Sequence, residues 1–147
     1  MFDDKETLVL SIKNAESLHG HLGPFLVIGV KMARLAMKEL NASENKVLDM
    51  QIFAKLPLIT PFSCILDGIQ TTTQCTVGNR KLRVKRSDND ITVTFKLKGQ
   101  EKVVKIHVKP HLIEELMSQL SKGIPKEKLA WMIAAKPEGE LFEFQKS

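Results

Sequence analysis

Two histidines that flank a glycine are the most informative local feature of this chain. His19 and His21 are two residues apart, and on a helix such residues point about 200° away from each other. They can share a ligand only if a helix ends between them. Gly20, Gly23 and Pro24 provide such a break. The pattern therefore predicts His19 at the C-terminus of one helix and His21 at the start of the next.

Two interpretations are open for this pair of imidazoles. Histidine is a common ligand of zinc, nickel, copper and iron, so both rings could converge on one ion. Alternatively, one ring caps the last carbonyls of the first helix and the other is a solvated loop residue. Both fit the spacing of His19 and His21.

A cysteine at the expected start of a helix is the second candidate. Ser63 is a suitable N-cap, which places Cys64 in the first turn. There the positive end of the helix dipole lowers the pKa of a thiol and favours the thiolate that a nucleophile or a metal ligand needs. A buried, inert cysteine is the alternative. Asp67 and Gln70 follow near the same helix face, as expected of either a polar cleft or a half-exposed helix.

A second cysteine follows eleven residues later, at Cys75. In an unbroken helix the two residues lie about 16 Å apart, too far to share one metal. A shared site requires the chain to turn back near residues 72–74 or a second subunit to contribute. Residues 75–80 resemble an anion-binding loop, because the hydroxyl of Thr76, a glycine and the guanidinium of Arg80 lie close together in the sequence.

Length and composition limit the class of protein. A chain of 147 residues with 43% hydrophobic content can bury a core as one domain, 1–147, without disulfides. The N-terminus is charged where a signal peptide has an apolar run, and the apolar stretch 22–37 is shorter than the roughly 20 residues of a membrane span. We therefore expect a cytoplasmic protein with reduced thiols and no membrane segment.

The positive charge is concentrated in residues 80–109, which hold ten Lys/Arg and three acidic residues. On alternating strands such a stripe is typical of the solvated face of a sheet. Nucleic acid is not expected to be a partner, because the chain has no Tyr and these strands carry only Phe95 for stacking.

The order of the elements predicts an α+β fold. Helical periodicity covers residues 5–19 and 24–40, and the second helix has two apolar faces and small residues, so it is the central helix or part of a subunit interface. Period-two patterns predict strands at 47–56, 81–86, 91–98, 102–108 and 141–144, of which the middle three form a meander. With a helix from Cys64, a helix from Pro110 ending near Gly123 and a helix over 125–136, we expect one antiparallel sheet with helices on one side.

Three segments, in this order and spacing, resemble the core domain of the formylmethanofuran dehydrogenase FmdE family. They are residues 19–24 (HGHLGP), 64–70 (CILDGIQ) and 75–78 (CTVG). The resemblance implies an intertwined homodimer of a single α+β core domain, with a cleft suited to a divalent transition metal, foremost zinc. It implies His19, His21 and Cys64 as metal ligands. Further cleft residues or ligands would be Asp67, Gln70, Cys75 and Thr76.

This chain departs from the family pattern at three places. Gly23 occupies a position that is often cysteine, Phe25 one that is often glycine, and Asn79 one that is often lysine. One sulfur ligand is therefore missing, and a phosphate loop is disfavoured. No cysteine follows Cys75, so we expect a core domain without the zinc ribbon that some members carry.

These observations favour a metal-binding FmdE-like protein, an accessory to or relative of formylmethanofuran dehydrogenase, with no reaction assigned. The alternative is a non-enzymatic dimeric subunit that binds a partner, such as a redox enzyme complex, through its second helix and C-terminal segment. A nucleic-acid binder that uses the basic strands is the third hypothesis.

Overall fold

The computed structural model describes residues 5–42 and 49–147. The helices in this part of the chain are α1 (Lys5–His19), α2 (Pro24–Glu39), α3 (Cys64–Thr73), α4 (Pro110–Ser121), α5 (Lys126–Ala135) and α6 (Glu138–Leu141). The strands are β1 (Met50–Leu56), β2 (Leu82–Arg86), β3 (Thr92–Leu97), β4 (Val103–Val108) and β5 (Phe142–Lys146). The prediction of an α+β fold is confirmed. Residues 47 and 48, which were predicted to begin the first strand, lie outside the described residues.

The sheet is mixed, in the order β2-β1-β3-β4-β5. Strand β1 runs parallel to β2 and antiparallel to β3, and β4 and β5 continue the antiparallel pairing. The predicted meander is therefore wrong at its first step, because β1 lies between β2 and β3. Residues 57–81 include α3 and are long enough for the crossover that two parallel strands require. The short helix α6, which the sequence analysis missed, precedes β5.

Helix α2 is the central helix of the domain. All of its residues from Pro24 to Met37 are buried, which confirms the first of the two roles predicted for it. The described fold itself covers residues 24–37, so this part of α2 does not present a surface to a partner. The hypothesis of a non-enzymatic dimeric subunit had placed such a surface there. Among the described helices, none is long and apolar enough to span a bilayer.

The backbones of α2 and α3 touch at two glycines. A Cβ atom added at Gly29 would lie 2.1 Å from the carbonyl oxygen of Ile65, and one added at Gly68 would lie 2.3 Å from the carbonyl oxygen of Leu26. Only hydrogen fits at these two positions. This contact fixes α3, which carries Cys64 and Asp67, against the N-terminal half of α2.

Helices cover one face of the sheet. On that face the strands contribute buried side chains to the core, namely Met50, Ile52, Ala54, Leu82, Val93, Phe95, Leu97, Val104, Ile106 and Val108. The alternate residues of β1 are exposed, and those of β2 to β5 are mostly exposed or half-buried. The other face is therefore open.

Candidate functional site

The break between α1 and α2 brings the two histidine rings together. Helix α1 ends at His19, and Gly20 follows with φ +97°, donating its N–H to the carbonyl of Glu16 at 2.7 Å. A positive φ of this kind favours glycine at the end of a helix. The rings of His19 and His21 lie 4.5 Å apart between centroids, edge to face. The predicted break is confirmed.

One nitrogen of His19 is bound to a carboxylate from another helix. Nδ1 lies 2.6 Å from Oδ2 of Asp67 on α3, and because an ionised carboxylate only accepts, Nδ1 carries the proton. The other oxygen of Asp67 accepts a bond from Nε2 of Gln70 at 3.1 Å. Oε1 of Gln70 in turn accepts the N–H of Val77 at 3.1 Å. The alternative in which His19 caps the carbonyls of α1 is not what the structure shows.

The second nitrogen of His19 has no partner in the part of the chain that the structure describes. Nε2 is buried and makes no hydrogen bond with any described residue. With the proton on Nδ1, Nε2 presents a lone pair. Buried polar atoms are nearly always paired, and a metal-binding imidazole typically donates its other N–H to a carboxylate. The side chain of His19 therefore has the form of a metal ligand or a general base.

Cys64 begins α3 at the same pocket. Its N–H donates to the carbonyl of Pro61 at 3.1 Å, and Ser63 occupies the N-cap position without a side-chain cap bond. Burial and then the nearby carboxylate of Asp67 raise the pKa of the Cys64 thiol, against smaller opposing effects of a hydrogen bond to its own backbone and of Lys126. The predicted lowering of this pKa is wrong, because desolvation and the like charge of Asp67 outweigh the two opposing effects.

The pocket encloses about 290 Å³ of empty volume, including solvent at its mouth. Four residues with polar side chains line it, namely His19, His21, Cys64 and Lys126, but the surface that the pocket exposes is apolar. Its lining residues are His19, His21, Gly23, Pro24, Phe25, Leu26, Pro61, Cys64, Leu120 and Lys126. Lys126 was missed by sequence reasoning, since a lysine at the start of α5 carries no local signal of a site.

The three predicted ligands share this pocket without forming a complete coordination group. Across residues 5–42 and 49–147, no three His, Cys, Asp or Glu side chains are arranged so that they could hold one metal ion. His19 is preorganised by Asp67, whereas His21 is exposed and Cys64 half-buried. The residue types and the unpaired Nε2 fit a metal, provided that the side chains of His21 and Cys64 turn toward it.

Comparison with known proteins identifies the family. A family model described as "FmdE, Molybdenum formylmethanofuran dehydrogenase operon" matches residues 18–143, most of the chain. The chain belongs to the FmdE family. The match includes all three segments whose resemblance to the family was noted in the sequence.

Two relatives illustrate how far the similarity extends. The crystal structure of a tungsten formylmethanofuran dehydrogenase FmdE-like protein from Syntrophus aciditrophicus superposes with a TM-score of 0.65 at 21% identity, over 95% of this chain and 71% of that one. This likeness establishes a common fold. A protein of Archaeoglobus fulgidus described as a "probable S-adenosyl-L-methionine-binding protein" is 35% identical over 68 residues, 46% of this chain. This FmdE-family chain spans 18% of the length of that relative.

The remaining predicted site residues of this FmdE-family protein lie elsewhere. Cys75 follows Gln74, whose left-handed conformation ends α3, and its thiol donates to the carbonyl of Met50 at 3.5 Å within the core. Burial raises the pKa of Cys75. Cys75 is not among the residues that line the Cys64 pocket.

Thr76 stabilises its own loop. Its N–H donates to Oδ1 of Asn79 at 2.9 Å, and its hydroxyl accepts the N–H of Asn79 at 3.0 Å. These groups are engaged with each other, so the segment does not present them to an anion. Asp67, Gln70 and Thr76 line a separate, open groove beside the pocket.

Proposed function

We propose that this FmdE-family protein binds a divalent transition metal, foremost zinc, with His19, His21 and Cys64 as its protein ligands. The observation that carries the proposal is the buried, unpaired Nε2 of His19, opposite an Nδ1 held by Asp67. An imidazole fixed in this tautomer keeps the lone pair of Nε2 available for a metal, with little loss of rotamer freedom on binding.

The donor set supports zinc. Zinc takes imidazole nitrogen and thiolate sulfur, and three protein ligands leave the fourth position open for water or a substrate. When bound, the metal would act there as a Lewis acid. The family pattern often places a further sulfur at the position of Gly23, so a three-ligand set is what remains in this sequence.

Other residues at the pocket orient His19 and set the polarity and charge of its surroundings. Asp67 holds the proton on Nδ1 of His19 and orients the ring. Pro24, Phe25 and Leu120 form apolar walls, which lower the local dielectric and strengthen every charge interaction inside. Lys126 lines the same wall, and its charge opposes the rise in the pKa of Cys64, so it suits an anionic group on whatever occupies the open position.

Metal titration of tag-free protein, stripped with a chelator, tests the proposal. We expect one zinc ion per chain, measured by calorimetry and elemental analysis, with binding lost or strongly weakened in His19→Ala, His21→Ala and Cys64→Ser. His111→Ala, at an exposed position away from the pocket, is the matched control. Cobalt-loaded protein should show a sulfur-to-metal absorption band that Cys64→Ser removes. Metal binding that is indifferent to His19→Ala would overturn the proposal.

A second candidate is a non-enzymatic subunit that forms a homodimer and binds a redox enzyme complex. Exposed apolar side chains in the C-terminal part of the chain favour it. Trp131 is 41% exposed and Met132 37% exposed on α5, and Phe144 is 44% exposed on β5. Light scattering of the wild type and of Trp131→Ala with Met132→Ala tests the homodimer. A monomer at all concentrations would contradict it, whereas the metal titration does not depend on this result.

A further inference from the structure

The open face of the sheet carries an ordered grid of side chains that the pocket does not use. Because β1 lies between β2 and β3, Phe53 of β1 stands opposite Arg83 of β2 on one side and Thr94 of β3 on the other. Thr94 in turn stands opposite Lys105 of β4. Directly opposed residues share a face, so these four form one row across the open face.

Basic residues surround this row. Lys55 and Lys85 stand opposite each other, each two residues along its strand from Phe53 and Arg83. Lys96 lies two residues beyond Thr94 on β3. The five cations on the face are exposed: Lys55, Arg83, Lys85, Lys96 and Lys105. None of them forms an ion pair with a described residue. Within the five strands the face has one carboxylate, Glu143, on the edge strand β5 opposite His107.

An aromatic ring lies within this basic surface. Phe53 is 44% exposed, although its neighbours along β1 on the same face, Gln51 and Lys55, are polar. A half-exposed ring flanked by unpaired cations on a sheet is the combination with which sheet platforms hold unstacked bases and the phosphates that join them. A second copy of the chain is a poor occupant, because two such faces would bring like charges together.

We propose that this open face, comprising Phe53 and the five cations, binds single-stranded nucleic acid. The cations contact phosphates and a base stacks on Phe53. This partner was not expected from the sequence, because Phe95 is the one aromatic residue in the basic segment 80–109. Phe95 is buried on the other face, and the insertion of β1 supplies the ring instead. The proposal is independent of metal binding, since the face and the pocket have no residue in common.

Fluorescence anisotropy with a labelled oligo-dT and an oligo-U of about 12 nucleotides tests the proposal. We expect binding whose affinity falls as salt rises from about 50 to 200 mM. Phe53→Ala should weaken binding about 5- to 100-fold at unchanged salt dependence. Lys55→Ala with Arg83→Ala should reduce the slope of log affinity against log salt by about 1.4.

Matched controls separate this face from the overall charge. Lys122→Ala with Lys128→Ala removes the same net charge from exposed positions on the helical side and should leave binding unchanged, while thermal unfolding verifies that every variant is folded. The proposal is overturned if no binding occurs at about 50 mM salt, if the control pair weakens binding as much as the pair on the face, or if Phe53→Ala has no effect. It is also overturned if light scattering shows a dimer that Lys96→Glu dissociates.

Discussion

Nδ1 of His19 and Oδ2 of Asp67 lie 2.6 Å apart, although 48 residues separate them in the chain. The pair joins the end of α1 to the first turns of α3. It leaves Nε2 of His19 as a buried nitrogen without a partner among the described residues. The chemistry that we propose for the pocket depends on this contact more than on any other.

Replacing Asp67 by Asn should weaken zinc binding by about 10- to 100-fold, because the amide cannot stabilise the Nδ1–H tautomer of His19 as a carboxylate does. Calorimetric titration of the tag-free variant measures the change. The Asp67 side chain is 34% exposed, so the midpoint of thermal unfolding should change little. An unchanged zinc affinity would show that Asp67 has no part in the site.

Cys64 should react slowly with iodoacetamide at neutral pH. Its pKa is raised by burial and by Asp67, so the alkylation rate should rise at a higher pH than that of an exposed thiol, which ionises at about 8.5. Asp67→Asn should move this rise to lower pH. Mass spectrometry that shows rapid modification of Cys64 at neutral pH would contradict the prediction, and Cys64→Ser provides the blank.

The raised pKa of the Cys64 thiol also affects the stability of the protein at alkaline pH. A thiol whose pKa is higher in the folded state binds its proton more tightly there. Its contribution to the free energy of unfolding is therefore complete below the pKa that the thiol has in the unfolded chain. That contribution is lost as pH rises through the folded pKa. The free energy of unfolding of the wild type should therefore fall more steeply above neutral pH than that of Cys64→Ser.

Gly68→Ala should destabilise the protein by about 1–3 kcal/mol or more, because the added methyl would overlap the carbonyl oxygen of Leu26. Gly139→Ala is the control, since nothing lies within 4 Å of a Cβ at that position. Urea unfolding of the two variants measures the difference. Equal stabilities would mean that α2 and α3 are not in backbone contact.

Lys31 stabilises the end of α5. Its ammonium group donates to the carbonyls of Ile133 at 3.2 Å and Ala134 at 3.0 Å, and also to that of Lys136. Lys31→Met removes the ammonium donor from these three carbonyls and should cost about 1–3 kcal/mol in urea unfolding. Lys146→Met removes the surface ion pair with Glu39 and should cost less than about 1 kcal/mol. If the order is reversed, the role of Lys31 is refuted.

Much of the local structure was predictable from the sequence. The end of α1 at His19, the burial of α2 and the start of α3 at Cys64 follow from glycine, proline and apolar periodicity within a few residues. The place of β1 between β2 and β3 does not, because strand order depends on contacts between distant parts of the chain. Phe53 consequently escaped notice as a residue of the basic face.

The candidate site was predicted less completely. Residue types identified His19, His21 and Cys64, and all three line one pocket. The direction of the pKa shift at Cys64 depends on burial and on Asp67. The sequence of α3 alone does not show how far other elements bury this thiol. Lys126 and Leu120 reach the pocket from the far end of the chain, and no local pattern marks them.

The direct backbone contact between α2 and α3 also fixes two parts of the pocket wall against each other. Gly29 and Gly68 leave no room between these helices. The part of the wall that carries Phe25 and the part that carries Cys64 are therefore packed directly against each other. The connection from α4 to α5 contributes another part of the wall, through Leu120 before it and Lys126 after it in the chain. Any widening of the pocket is therefore expected to come from that connection, where Gly123 has a φ of +87°.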